Sequence, residues 1–181
     1  IRLEDYRAQT WTVPKIMHGL FNEEAEEKVF RCVVQRLMHT GIENIYLCRL
    51  ETPRRCDETD ACPQRLRLAA YASRGKIVAY PGAQMPVVDG EHPFLAMPEF
   101  HTLRSMMAIS LFSGEHQYGI LWCEADYGRS ALLHMIGMQL GMLMDFLCLR
   151  GKERMISEEL ENIREKTRSS IFCRNTIRCA N

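Results

Sequence analysis

Ser105-Met106-Met107-Ala108-Ile109-Ser110-Leu111-Phe112-Ser113-Gly114-Glu115-His116-Gln117-Tyr118-Gly119-Ile120-Leu121-Trp122-Cys123-Glu124 is the stretch whose reading decides the fold. Met106–Phe112 and Gln117–Glu124 are apolar and β-prone, and Ser113-Gly114-Glu115 between them supplies turn chemistry, so the pair predicts a hairpin. Nearly continuous apolarity predicts that both strands sit centrally in a sheet with both faces covered. Asp126 then caps a final helix beginning near Tyr127 or Ser130. Its apolar residues first cover every side, as Leu132, Leu133, Met135, Ile136, Met138 and Leu140 do, and later thin to a seam. Met142, Phe146, Leu149, Ile156, Leu160 and Ile163 follow alternating spacings of four and three once Glu153, the one polar residue on the seam, is counted.

Working outward, Arg65–Ala72 and Ile77–Tyr80 flank Ser73-Arg74-Gly75-Lys76 and predict a second hairpin. Asn44–Leu50 predicts the first strand, followed by a polar loop over Glu51–Gln64. Asn22 reads as the N-cap of a helix with Glu23 and Glu24 in its first turn. Val29, Cys32, Val33 and Leu37 form its apolar stripe, and Gly41 after Thr40 is its left-handed stop. An earlier helix is expected over Leu3–Trp11, interrupted near Pro14 and resumed to Phe21. Pro81–Arg104 carries four prolines and two glycines and predicts a long loop with short helical turns. The order predicts an α+β domain: an antiparallel sheet with N- and C-terminal helices on one face and a loop-roofed cavity on the other.

The chain has 181 residues, 46% of them hydrophobic, enough for one well-buried core. Lys plus Arg and Asp plus Glu balance at 23 each, so no general field draws in nucleic acid or an anionic membrane. Of the eight cysteines, Cys32, Cys48, Cys123 and Cys148 lie in apolar periodic segments as small buried hydrophobes, which fits a reducing cytoplasm. The charged opening Ile1-Arg2-Leu3-Glu4-Asp5 is no signal peptide, and without an initiator Met the chain reads as a piece of a longer protein. Ala131–Leu149 approaches membrane-spanning length, but His134, Gln139, Asp145 and two glycines favour a buried helix.

The residues that carry chemistry elsewhere do not assemble here into a catalytic or cofactor site. Cys56, Cys62, His92 and His101 lack the paired spacing of a zinc site. Cys123 reads as a buried strand thiol, and Gly114 and Gly119 make no phosphate loop. A small-molecule pocket, if formed, is lined by Tyr46, Tyr71, His92, Phe94, His101 and Trp122, which pair apolar surface with a polar handle. The seam residues Met142, Phe146, Leu149, Ile156, Leu160 and Ile163 predict a homodimer through the C-terminal helix.

Leu111-Phe112-Ser113-Gly114-Glu115-His116-Gln117-Tyr118-Gly119-Ile120-Leu121-Trp122-Cys123-Glu124 resembles the F-x-G-E-x-x-Y-G-x-x-x-C-E hairpin of clostridial signalling proteins, in which a GAF-like domain precedes a GGDEF diguanylate cyclase domain. Thr10-Trp11, Glu43-Asn44-Ile45-Tyr46-Leu47 and Glu161-Asn162-Ile163-Arg164-Glu165-Lys166 are similar as well. The resemblance implies a GAF/PAS-like sensory domain that controls a downstream cyclase and hence cyclic di-GMP signalling, without activity of its own. A stand-alone GAF-type enzyme or small-molecule-binding protein using Cys or His chemistry is the alternative. The implied organisation is an N-terminal helix and linker over 1–22, a GAF-like domain over 23–150, a coiled-coil signalling helix over 151–166 and an aberrant tail over 167–181. At Thr167 the family pattern stops. Codons can be chosen for Thr167–Asn181 that, read one base earlier, give N-Q-I-L-N-F-L-S-E-Y-D-T-L-C-Q, close to the family's continuation, so the tail is expected to be a frameshift of the linker.

Overall fold

The computed structural model describes residues 13–58, 65–100, 105–125 and 127–178, the last stretch with side chains as far as Thr167. The expected helix at Leu3–Trp11, the Asp126 cap, Cys62, His101 and the final three residues lie outside these. Residues 13–17, Pro14 included, are helical (α1). They are followed by α2 (Glu26–His39), β1 (Glu43–Arg55), β2 (Arg65–Ser73), β3 (Lys76–Ala79), β4 (Val87–Asp89), α3 (Pro93–Ala96), β5 (Met106–Ser113), β6 (His116–Glu124) and α4 (Ser130–Arg178). By contacts the chain divides into two compact units, Ile1–Asp145 and Phe146–Asn181.

In the first unit the strands form one antiparallel sheet in the order β3-β2-β1-β6-β5. β4 pairs with β2 through Arg65–Arg67, below the stretch that pairs with β3. Both expected hairpins form, β2–β3 through Arg74 and Gly75 at positive φ (49° and 80°) and β5–β6 through Gly114 at φ 56°. Together with its flanking helices the sheet makes an α+β fold.

Strand alternation sorts the side chains onto two faces. Leu47 on β1 pairs with Ala70 on β2 and Leu121 on β6, and Leu121 with Ile109 on β5. This face carries the helices. Arg49, which shares it, bonds Glu26 at the start of α2 at 2.9 Å, and Arg31 of α2 reaches the Ile77 carbonyl of β3. Val29, Phe30, Val33, Val34 and Leu37 of α2 and Leu133, Ile136 and Leu140 of α4 are fully or almost fully buried. Burying each such side chain stabilises the fold by roughly 1.5–3 kcal/mol.

Helix α4 meets β5 through two glycines one helical turn apart. A Cβ on Gly137 would stand 2.4 Å from the Ile109 side chain, and one on Gly141 would stand 2.0 Å from the Phe112 carbonyl oxygen. Only hydrogen at these two positions lets the helix backbone come this close to the strand. By length and composition α4 contains a stretch apolar enough to cross a bilayer, and half of that stretch is buried within the protein.

Five expectations are corrected. The expected interruption near Pro14 is absent from the continuous helix over 13–17, and the helix breaks instead at His18 and Gly19, the latter at φ 74°. α2 starts at Glu26 rather than after Asn22, because buried Leu20 anchors a 3-10 turn over Leu20–Asn22, so that Glu26 and Glu27 take the first helical turn. Its end is as expected: Thr40 caps it with a 2.7 Å bond from its hydroxyl to the Leu37 carbonyl, and Gly41 follows at φ 79°. β1 continues past Leu50 to Arg55, since its polar end finds partners in the sheet: Arg67 donates to Glu51 at 2.6 Å, and Arg55 pairs with His116 of β6. The stretch Pro81–Arg104 contains a strand, β4, besides its short helical turns. β5 is the last strand of the sheet rather than a central one; its apolar run serves contact with α4, while Ala108, Ser110 and Phe112 remain exposed.

Candidate functional site

The face opposite the helices is floored by aromatic side chains that the register brings side by side. Tyr46 on β1 pairs with Tyr71 on β2 and with Trp122 on β6, and the three are 0%, 2% and 5% exposed. The Tyr46 and Tyr71 rings stack at 6.0 Å and 15°, an arrangement that adds to the stabilisation from burial. Tyr80 approaches Tyr71 at 6.4 Å. Cys48, Leu50, Leu66, Leu68, Val88 and Ile120 belong to the same cluster.

Residues 97–100 form a strap across this floor. Met97 is buried in the cluster, and the Tyr46 hydroxyl donates to the Pro98 carbonyl at 3.0 Å. Phe100 meets Tyr46 edge-on at 6.3 Å and stacks on Phe94 at 4.6 Å. Glu99 between them has φ 60° and forms an ion pair with Lys76 of β3 at 2.8 Å. A non-glycine residue in the left-handed region costs about 1 kcal/mol, so the strap is held by its contacts rather than by local preference. At the edge of the floor, Ser73 donates to Asn44 and Asn44 to Glu124, both at 2.6 Å.

Burial and the Lys76–Glu99 pair set the electrostatics of this floor. Burial raises the Tyr46 hydroxyl above its ordinary range, the Ser73 bond opposes this, and Glu99 and Tyr71 add to it. Burial likewise raises Tyr80. The Lys76 ammonium is held up first by its bond to Glu99 and then by Tyr71. Burial alone pushes the Cys123 thiol up to about 12 and pushes the Cys48 thiol up as well. Neither sulfur is a thiolate near neutral pH, so neither is an activated nucleophile. Among the described residues no group of three or more His, Cys, Asp or Glu side chains is arranged to hold a metal.

Of the six side chains expected to line a pocket, the structure gathers Tyr46, Tyr71 and Trp122 into one buried floor. Phe94 belongs to the strap side and is 39% exposed. His92 lies apart, its side chain 64% exposed and 3.6 Å from Asp89, and His101 is outside the described residues. The sequence reading passed over Tyr80, Met97, Phe100 and the Lys76–Glu99 pair. Tyr80 was within reach of it, since the β2–β3 hairpin sets Ala79 opposite Ala70 and so brings the next residue near Tyr71; the strap carried no periodic signal.

The second candidate surface is α4. In the first unit Asp145 accepts hydrogen bonds from the Tyr118 hydroxyl at 2.6 Å and the Ser113 hydroxyl at 2.9 Å. Met138 and Met142 are there 55% and 51% exposed. In the second unit Phe146, Leu149, Ile156, Leu160 and Ile163 all expose between 37% and 59% of their surface. Arg150 lies over the Phe146 ring at 5.5 Å, a cation on an aromatic face.

No protein-family model matches the sequence, and no curated protein matches it either. The structure is similar to that of the A. aeolicus nlh2 GAF domain, solved in an inactive state, with a TM-score of 0.50 at 15% identity. The match covers 78% of this chain and 96% of that one. The chain therefore has a GAF-like fold.

Proposed function

We propose that this GAF-fold chain is a sensory and dimerising regulatory module, that its second unit pairs two copies, and that it controls a downstream diguanylate cyclase domain of the GGDEF kind. The observation that carries the proposal is the row of exposed apolar side chains at heptad spacing in the second unit, from Phe146 to Ile163. Lone apolar surface residues need no explanation, but a row of them along one stripe of a helix marks an interaction surface. The resemblance of Leu111–Glu124 to the hairpin of clostridial signalling proteins supports the cyclase context. In this reading the module works in the cytoplasm, and the free thiols of Cys32, Cys48, Cys123 and Cys148 fit that compartment.

The input is a small molecule taken up between the sheet and the strap, where Tyr46, Tyr71 and Trp122 offer stacking faces. Release of the Tyr46–Pro98 bond and of the Lys76–Glu99 pair opens the way to them. In this reading the module has no chemistry of its own and uses no cofactor; burial keeps the Cys48 and Cys123 thiols protonated, so neither serves as a nucleophile.

Two results test the reading. The coding sequence beyond this chain is expected to encode a GGDEF domain, in whichever frame. Cyclic di-GMP production by the full-length parent is expected to change at least several-fold on Leu160→Lys, because a charge on the seam disrupts pairing. Unchanged output from a well-expressed variant contradicts the proposal.

A further inference from the structure

The seam of the second unit contains one break. The spacing places Phe146, Glu153 and Leu160 at a positions and Leu149, Ile156 and Ile163 at d positions of successive heptads. Over about 27 Å of helix every seam residue but one is apolar, and all of them are exposed. Resting on the dimerising reading above, we infer that this seam receives a second copy of the chain, parallel and in register, and that Glu153 is the residue that holds the assembly to two strands.

Charge complementarity sets the direction. In a parallel pair each g residue faces the following e residue of the other helix, so Glu159 meets Arg164 of the second copy, twice by symmetry. Lys152, at the g position before Glu153, lies beside Glu153 of the second copy and offsets the approach of the two carboxylates. Lys152, Glu153, Glu159 and Arg164 are all exposed in the single chain and free to make these pairs. Antiparallel pairing of the same layers sets Glu153 against Ile156 instead, pressing a carboxylate onto an apolar side chain, which is unfavourable.

Strand number follows from the same residue. Leucine at a combined with isoleucine at d, the pattern of Leu160 with Ile156 and Ile163, draws helices into bundles of more than two strands. Glu153 opposes that draw. In a two-stranded pair its carboxylate reaches solvent at the edge of the seam, whereas in a wider bundle three or four carboxylates would be enclosed together, and desolvating like charges is costly. A single polar residue at an a position is a known means of fixing register and strand number at some cost in stability.

The test uses the full 181-residue chain. Sedimentation equilibrium of the wild type is expected to give two chains, and Glu153→Leu three or more. Ile156→Cys is expected to form, under mild oxidation, a covalent dimer joined through residue 156, read by peptide mapping, because d positions face each other only in a parallel pair. Circular dichroism of both variants should match the wild type, since both positions are exposed. Glu153→Leu remaining at two chains, or Ile156→Cys failing to cross-link in a two-chain wild type, overturns this inference and leaves the dimerising reading intact. A monomeric wild type overturns both.

Discussion

The hydroxyl of Tyr118 donates a 2.6 Å hydrogen bond to Oδ1 of Asp145. Tyr118 sits where the β5–β6 register shifts, between Gln117 opposite Phe112 and Gly119 opposite Leu111. The bulge turns it toward α4. Ser113, at the other end of the same turn, donates to Oδ2 of the same carboxylate at 2.9 Å. The tip of one hairpin thus holds the last residue of the first unit by both carboxylate oxygens.

Hydrogen bonds to a charged acceptor contribute about 1.5–3 kcal/mol each when buried, and less when partly exposed as here. Asp145→Ala is therefore expected to lower unfolding stability by about 2 kcal/mol, and Tyr118→Phe by about 1 kcal/mol. Urea titration of each variant and of the double variant checks this. Additive losses would contradict a shared contact, because coupled partners lose less together than the sum of the single losses.

The contact of α4 with β5 is tighter than any substitution allows at Gly141. Gly141→Ala forces a methyl to 2.0 Å from the Phe112 carbonyl oxygen, and the backbone on both sides must move. A loss of about 3 kcal/mol is expected. Gly151→Ala makes the opposite prediction, since nothing lies within 4 Å of its added carbon; there, alanine is expected to stabilise the helix by up to about 1 kcal/mol. Thermal melts of the two variants should move in opposite directions.

Much of this architecture was legible because its signals are local. Ser113-Gly114-Glu115 and Arg74-Gly75 announce hairpins by turn chemistry, and Gly41 announces the end of α2. The same local logic misplaced β5: nearly continuous apolarity marks contact with something, and here that contact is a helix lying against an end strand rather than two neighbouring strands. β4 is three residues long, too short for any periodicity to show. At the candidate site, Tyr46, Tyr71 and Trp122 were within reach because strand alternation puts them on one face. Phe100 and the Lys76–Glu99 pair were not, because an irregular strap is positioned by the contacts it makes rather than by its own sequence.

Stability is expected to fall in alkali. Burial pushes the Cys123 thiol up to about 12 and raises Cys48, Tyr46 and Tyr80 in the same direction, and the Lys76–Glu99 bond raises Lys76. An unfolded thiol loses its proton near pH 8.5, while the folded one keeps it, so above that pH the unfolded chain binds fewer protons and stability declines as pH rises. Stability from Cys123 is fully present below about pH 8.5 and lost progressively toward pH 12. Cys123→Ala is expected to make the decline shallower across that window in urea melts at stepped pH. An unchanged slope would show that the thiol is not buried in the folded state.

The seam makes a prediction separate from the stability of the first unit. Leu160→Lys places a charge among side chains that the pairing would bury, and leaving it unpaired there is costly. Dissociation is expected to rise by at least tenfold in concentration, read by light scattering on a size-exclusion column. The urea midpoint of the first unit, followed by Trp122 fluorescence, is expected to stay within error of the wild type, because Leu160 lies in the second unit and is 53% exposed.

Sedimentation velocity of the wild-type chain across a hundredfold range of concentration tests the central claim most directly. A reversible shift toward a species of twice the chain mass, about twice 21.0 kDa, is the expected result. A single species of one-chain mass at the highest concentration, with Ile156 and Leu160 still open to solvent, would contradict it.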